Sequence, residues 1–138
     1  MYTCIHLNED DAEFLKSEFQ NVIGTKFSNY RMETPHYKLP HHMTINMGEF
    51  DESLNPIYYV GKPVDMYIDG FAFDNDLGVA AARVFMTDPN IATINQQPHI
   101  TMALQKQGKP FFSNQLNWEN IVKISRSIVV SGIVTTLR

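Results

Sequence analysis

The sequence predicts a single α+β domain spanning residues 1–138, and three observations carry that expectation. Its 138 residues are 43% hydrophobic and 19% charged, which is enough apolar material to bury a core and too little charge for a disordered chain. One segment has clear helical periodicity. Most of the rest falls into short stretches of β-favouring residues punctuated by Gly, Pro, Asn and Asp.

Tyr2–Leu7 alternates apolar and polar residues and reads as a first strand. Asn8 follows at an N-cap position, with Asp11 three residues on and Glu9 and Asp10 in a first turn where they complement the helix dipole. Ala12, Leu15, Phe19 and Val22 recur at helical spacing as a core-facing stripe, and Gly24 marks the stop. Residues 27–40 break up around Pro35 and Pro40 into a loop of about fourteen residues, long enough for a compact domain to suggest function. It carries Tyr30, Arg31, His36, Tyr37 and Lys38. His42–Met47 is a strand ended by Gly48, and residues 51–61 are rich in turns. Residues 64–73 and 78–86 read as strands joined through a hairpin turn at Asp74-Asn75-Asp76. A polar connection over 87–97 leads to a strand at His99–Leu104. Ser113 is expected to cap a short helix running to about residue 120, with Leu116 and Ile121 inward. Residues 124–137 are β-rich and interrupted at Ser131-Gly132. No short-period repeat or low-complexity segment appears.

Composition excludes several classes of function. Eleven Lys and Arg against fifteen Asp and Glu give a net charge of −4, a poor basis for the many phosphate contacts that a long duplex demands. A small phosphorylated ligand needs only local donors and stays open. Cys4 is the single cysteine, which removes a disulfide framework or a cysteine-rich zinc site and fits a reducing, cytoplasmic compartment. Charge-free runs such as residues 128–134 fall short of a membrane span. The opening Met1-Tyr2-Thr3-Cys4 lacks a basic region followed by an apolar stretch, so no signal peptide is expected.

The functional signal lies in two matching tetrads, His42-Met43-Thr44-Ile45 and His99-Ile100-Thr101-Met102. With five histidines and nine threonines, two or more His-x-Thr triplets arise by chance about once in twenty such chains, and less often with the apolar alternation added. In a strand, residues i and i+2 share a face. His42 therefore projects with Thr44, and His99 with Thr101, while Met43, Ile45, Ile100 and Met102 enter the core. Cleaving a phosphodiester needs a base to activate the nucleophile and an acid to protonate the departing oxygen. Imidazole serves either role near neutral pH, and threonine hydroxyls donate to the non-bridging oxygens. A zinc site would want three or four ligands, and neither tetrad has an acidic residue at suitable spacing. His41 and His42 are adjacent and expected to point to opposite faces. Neither Cys4 nor a serine shows a positioned triad.

These motifs resemble the signature of the two-histidine (LigT-like) phosphoesterase superfamily, and within it the cyclic phosphodiesterase domain of plant- and fungal-type tRNA ligases. Leu39-Pro40-His41-His42-Met43-Thr44-Ile45 resembles the first motif of that family. Gln97-Pro98-His99-Ile100-Thr101-Met102, followed by Gly108 and residues 113–118, resembles the second. The resemblance implies two pseudo-symmetric lobes whose antiparallel sheets form a V-shaped cleft, with helices outside. It implies that His42 and His99 are the acid–base pair, that Thr44 and Thr101 hold the phosphate, and that no metal or cofactor takes part. The short connection over 87–97 leaves little room for the longer helix that many members carry between lobes. No ligase or kinase segment accompanies the domain, so a role in RNA repair would be that of a free-standing enzyme.

The expected activity is hydrolysis of 2′,3′-cyclic phosphate ends or of short cyclic or 2′–5′-linked oligonucleotides by a monomer. The alternatives are a viral or phage enzyme that degrades cyclic nucleotide messengers of host defence, and a module that sequesters them without turnover. Tyr37 and Tyr30 could stack on a nucleobase; packing of the loop is the plainer role. Lys38, Arg31 and Lys106 could neutralise phosphate, against solvated surface charge. Trp118 is expected as a core anchor, and His36 and His41 as loop or surface residues.

Overall fold

The computed structural model describes residues 1–27, 29–85 and 91–138. The elements are β1 (Tyr2–Leu7), α1 (Glu9–Ile23), β2 (His42–Met47), β3 (Pro63–Asp74), β4 (Val79–Phe85), β5 (His99–Leu104) and β6 (Val122–Leu137). A 3-10 turn at Gly24–Phe27 follows α1, and another at Pro110–Gln115 precedes β6. The α+β class expected from the sequence is what the chain adopts. Among the described residues, no helix is long and apolar enough to cross a membrane.

Every strand pairing is antiparallel. Where two separate sheets in a V were expected, the hydrogen bonding runs through one six-stranded sheet in the order β2-β1-β6-β3-β4-β5. The reason is β6, which at 16 residues pairs with β3 along its first part and with β1 along its last. The interruption expected at Ser131-Gly132 is absent. A Cβ at Gly132 would lie 2.5 Å from the His6 carbonyl oxygen, so glycine lets two backbones approach closely instead of ending the strand. The sheet nearly closes on itself. Its outer strands β2 and β5 touch, and the Ile94 N–H donates to the Ile45 carbonyl at 2.9 Å, bridging them.

The helix ends behave differently from the capping pattern of the sequence. Asn8 has the extended backbone of an N-cap but its side chain makes no capping hydrogen bond. The Asp11 carboxylate instead accepts the Ser131 N–H at 2.7 Å, tying the helix start to β6. Leu15, Phe19 and Ile23 are buried, and Phe19 meets Phe71 edge-on at 5.2 Å. The main core lies between α1 and the sheet face that carries Ile5, Met43, Ile45, Ile100 and Met102. A smaller cluster on Ala81, Val79, Leu104 and Leu116 takes Tyr37 and Trp118 against its border.

Strands 3 and 4 extend as expected, to within a residue or two, and Asp74 accepts the Asp76 and Leu77 N–H groups in the turn between them. Met86 and the first part of the connection over 87–97 lie outside the described residues. The helix expected from Ser113 does not form. The 3-10 turn at Pro110–Gln115 takes its place, since a stretch opened by Pro110 and broken by Asn114, Asn117 and Asn120 is too short to repay helix nucleation.

Candidate active site

The alternation of β2 and β5 does what period two requires. Met43, Ile45, Ile100 and Met102 are fully buried, whereas His42, Thr44 and Thr101 are only partly covered. Because β2 and β5 are the two outer strands and the sheet curls until they meet, His42 and His99 come within electrostatic reach. A positive charge on His99 opposes protonation of His42. The strands that carry the two histidines, at opposite ends of the sheet order, are thus brought together.

His99 is held from three directions. Its Nδ1 lies 2.8 Å from the Gln97 carbonyl oxygen. A carbonyl only accepts, so Nδ1 carries the hydrogen and Nε2 of the neutral ring is left with its lone pair. The Trp118 ring stacks on the imidazole with centroids 5.6 Å apart at 26°. Trp118 is itself held: Arg83, paired across β4 and β5 with His99, donates to the Trp118 carbonyl at 3.2 Å and forms a two-pronged bond with Asp69 at 2.9 and 2.7 Å. That guanidinium keeps the Asp69 carboxyl below its ordinary range. His99 is only 7% exposed, yet no buried side-chain nitrogen or oxygen among the described residues lacks a hydrogen bond. Its unbonded Nε2 therefore reaches solvent.

Thr101 also has a fixed partner. Its hydroxyl lies 3.0 Å from the Ser113 hydroxyl and 3.5 Å from the Pro110 carbonyl. Ser113, expected as a helix cap, is fully buried and serves to aim Thr101. Thr44 is paired through its backbone with β1, and among the described residues its hydroxyl has no hydrogen-bond partner, which leaves it free for a ligand.

Around His42 the structure corrects the sequence. His41 was expected at the surface, pointing away from His42. The strand begins at His42, so strict alternation does not reach back to His41, and the two Nδ1 atoms lie 3.0 Å apart. His41 stacks on Tyr37 with centroids 4.4 Å apart and meets the His6 ring at a tilt, 4.3 Å away. His42 meets Tyr2 at 4.9 Å and the edge of Tyr37 at 5.6 Å. His6 pairs with His42 across β1 and β2. The only sequence signal for this cluster was the His41-His42 doublet beside a strand that also carries a histidine.

Burial, reinforced by His41, His6 and His99, pushes the His42 imidazole down to about 3. Burial also holds His99 below its ordinary value, partly offset by the Gln97 carbonyl. Both rings are therefore neutral at neutral pH.

The supporting residues divide. Tyr37 reaches the site. Lys38 is exposed and lines a cavity of about 410 Å³ together with His6, Leu39 and His41. Tyr30 is not available for stacking: it is buried, and its hydroxyl donates to Asn75 at 3.0 Å. Arg31 is fixed to Leu104 through its backbone, and its side chain is exposed, as is that of Lys106. A cavity of about 690 Å³ adjoins His99 on the other side, lined by Ile94, Asn95, Gln97, Asn114, Asn117 and Trp118. No group of side chains among the described residues forms a metal-binding cluster.

No family model matches the chain, and no curated protein matches it significantly. The chemistry is therefore read from the geometry of the site itself.

Proposed function

We propose that this protein is a phosphodiesterase of the two-histidine type that opens nucleoside 2′,3′-cyclic phosphates or cleaves short cyclic or 2′–5′-linked oligonucleotides. What supports this reading is that the two outer strands, one bearing His42 and Thr44 and the other His99 and Thr101, meet where the sheet curls, each histidine sharing a strand face with its threonine. His99, with its Nδ1 hydrogen committed to Gln97, offers a bare Nε2 and takes the proton of the attacking water. Oxygen attacks phosphorus as the bond to the departing oxygen breaks, and His42 gives that oxygen a proton. Thr44 and Thr101 donate to the non-bridging oxygens, where negative charge concentrates. In this scheme the two imidazoles supply both proton transfers, so neither metal nor cofactor is required.

The resemblance of the two tetrads to LigT-like enzymes supports the same reading, including paired lobes about a cleft, which here would be the arms of one curled sheet. The amide-rich cavity beside Trp118 and the cavity beside Lys38 give room for a nucleoside on either side of the phosphate, and the acidic chain suits a small ligand better than a duplex. We place such an enzyme in the cytoplasm, as a monomer. One observation favours a second reading. Two neutral imidazoles also suit a module that binds a cyclic nucleotide messenger and releases it unchanged.

The test is incubation with 2′,3′-cyclic mononucleotides, 2′–5′ oligoadenylates and cyclic oligonucleotides, with products identified by mass. Turnover that disappears in both His42→Ala and His99→Ala is the expected result. Tight binding by calorimetry without product would select the sequestering module, and turnover surviving in both variants would remove the assignment.

A further inference from the structure

The phosphodiesterase scheme leaves His41 without a role, although its ring packs against Tyr37, His6 and His42. Two imidazole nitrogens 3.0 Å apart can bond only if one bears a hydrogen and the other a lone pair. The His41 ring is held by stacking on Tyr37 and by a tilted contact with His6. It also lines the cavity of about 410 Å³, which gives it a route to bulk solvent.

We propose that His41 is the positioning residue that makes His42 the acid: His41 Nδ1–H donates to His42 Nδ1, holding His42 with its hydrogen on Nε2, and the pair shares the proton that the departing oxygen receives. The proposal rests on the phosphodiesterase reading of His42 and His99. It resolves a difficulty in that reading, since a neutral imidazole that gave up its only hydrogen would become an anion. In the protonated pair, His41 bears hydrogens on both nitrogens and His42 bears one on Nε2. When His42 passes its Nε2 hydrogen to the departing oxygen, the shared hydrogen moves from His41 Nδ1 to His42 Nδ1. Both rings end neutral. His99, which took a proton from water, returns it to solvent, and His41 is recharged from the cavity.

The surroundings agree with this division. Facing His42 are His6 and Tyr2 from β1, His99 from β5 and Tyr37 from the preceding loop, none of which is an anion. Glu9 and Glu13 of α1 line the cavity that His41 also lines, together with Lys38. A positive charge on the pair is thus better accommodated on His41 than on the more deeply buried His42. His99, hydrogen-bonded to Gln97, has the opposite tautomer, so one catalytic ring offers a hydrogen and the other a lone pair.

The experiment is nitrogen-15 NMR of histidine-labelled protein without substrate, followed by pH–rate profiles of His41→Phe and His41→Asn. In the unaltered protein at pH 7, His42 is expected to carry its hydrogen on Nε2. Phenylalanine keeps the stacking and removes the donor, so His42 should change tautomer, turnover should fall by at least about tenfold, and the alkaline limb of kcat should move to lower pH. The asparagine amide can donate where Nδ1 did, so it should restore the tautomer while leaving the alkaline limb displaced. A hydrogen on His42 Nδ1 in the unaltered protein overturns the proposal, as does an unchanged profile in His41→Phe. Full recovery of the profile in His41→Asn overturns the shared proton. The NMR result needs no turnover, so it decides the His41–His42 pair even if no substrate is cut, and turnover with the wrong tautomer removes His41 while the enzyme stands.

Discussion

The depressed imidazoles make the dependence of activity on pH the most informative perturbation. A group pushed down to about 3 is protonated in only about one molecule in 10⁴ at pH 7. His99 also lies below its ordinary value, so above about pH 6.5 neither ring carries an added proton in the free protein. The sign follows from the roles. Raising the pH removes the proton that the acid must give, while the base is already in its active form. The rate constant kcat/KM reports the free enzyme and should fall tenfold per unit on the alkaline side, about a hundredfold between pH 6.5 and 8.5. At low pH, protonation of His99 produces the other limb. A bound phosphodiester anion favours the charged imidazoles, so the optimum of kcat should lie at higher pH than that of kcat/KM. Initial rates on a 2′,3′-cyclic mononucleotide in constant-ionic-strength buffers from pH 4 to 9 measure both. A kcat/KM that is flat or rising between pH 6.5 and 8.5 would refute the assignment of paired, buried imidazoles to acid and base.

Other perturbations separate the parts of the site. Ser113→Ala should weaken substrate handling through Thr101 and cost about 1 kcal/mol of stability, the usual worth of one hydrogen bond; the check is kcat and KM together with urea unfolding, and an unaltered KM and kcat would show that Thr101 needs no partner. Arg83→Met should release Trp118 from its carbonyl contact and lower kcat several-fold through His99, seen as a change in Trp118 fluorescence alongside the rate. The imidazoles also make a stability prediction: His42 and His99 are neutral when folded and protonate in the unfolded chain below about pH 6.5, so stability falls as pH drops, for His42 by up to about 2 kcal/mol between pH 6.5 and 5. Thermal melts across that range should show the loss, and His42→Gln should reduce it. Gly132→Ala should cost about 2 kcal/mol or more, because the added carbon meets the His6 carbonyl oxygen at 2.5 Å and the Ile5 side chain at 2.7 Å; a melting temperature equal to that of the unaltered protein would mean β1 and β6 can separate freely there.

Local pattern by itself determined a good deal. Alternation located β2 and β5 at their observed bounds and put His42, Thr44, His99 and Thr101 on the face away from the core, because a side chain's face in a strand depends only on its neighbours two residues away. The stripe of Leu15, Phe19 and the flanking apolar residues located α1 for the same local reason. What needed the tertiary structure is everything that turns on long-range pairing or on the irregular segment before a strand. The single sheet depends on β6 serving two partners, and the meeting of the strands that carry His42 and His99 depends on the sheet curling on itself. His41 sits one residue outside β2, where no period applies, and its bond to His42 follows from packing on Tyr37 and His6. Ser113 became a partner of Thr101 because the segment that follows β5 turns back over it. Periodicity is a property of neighbours along the chain, whereas a site with two imidazoles is a property of how the sheet closes.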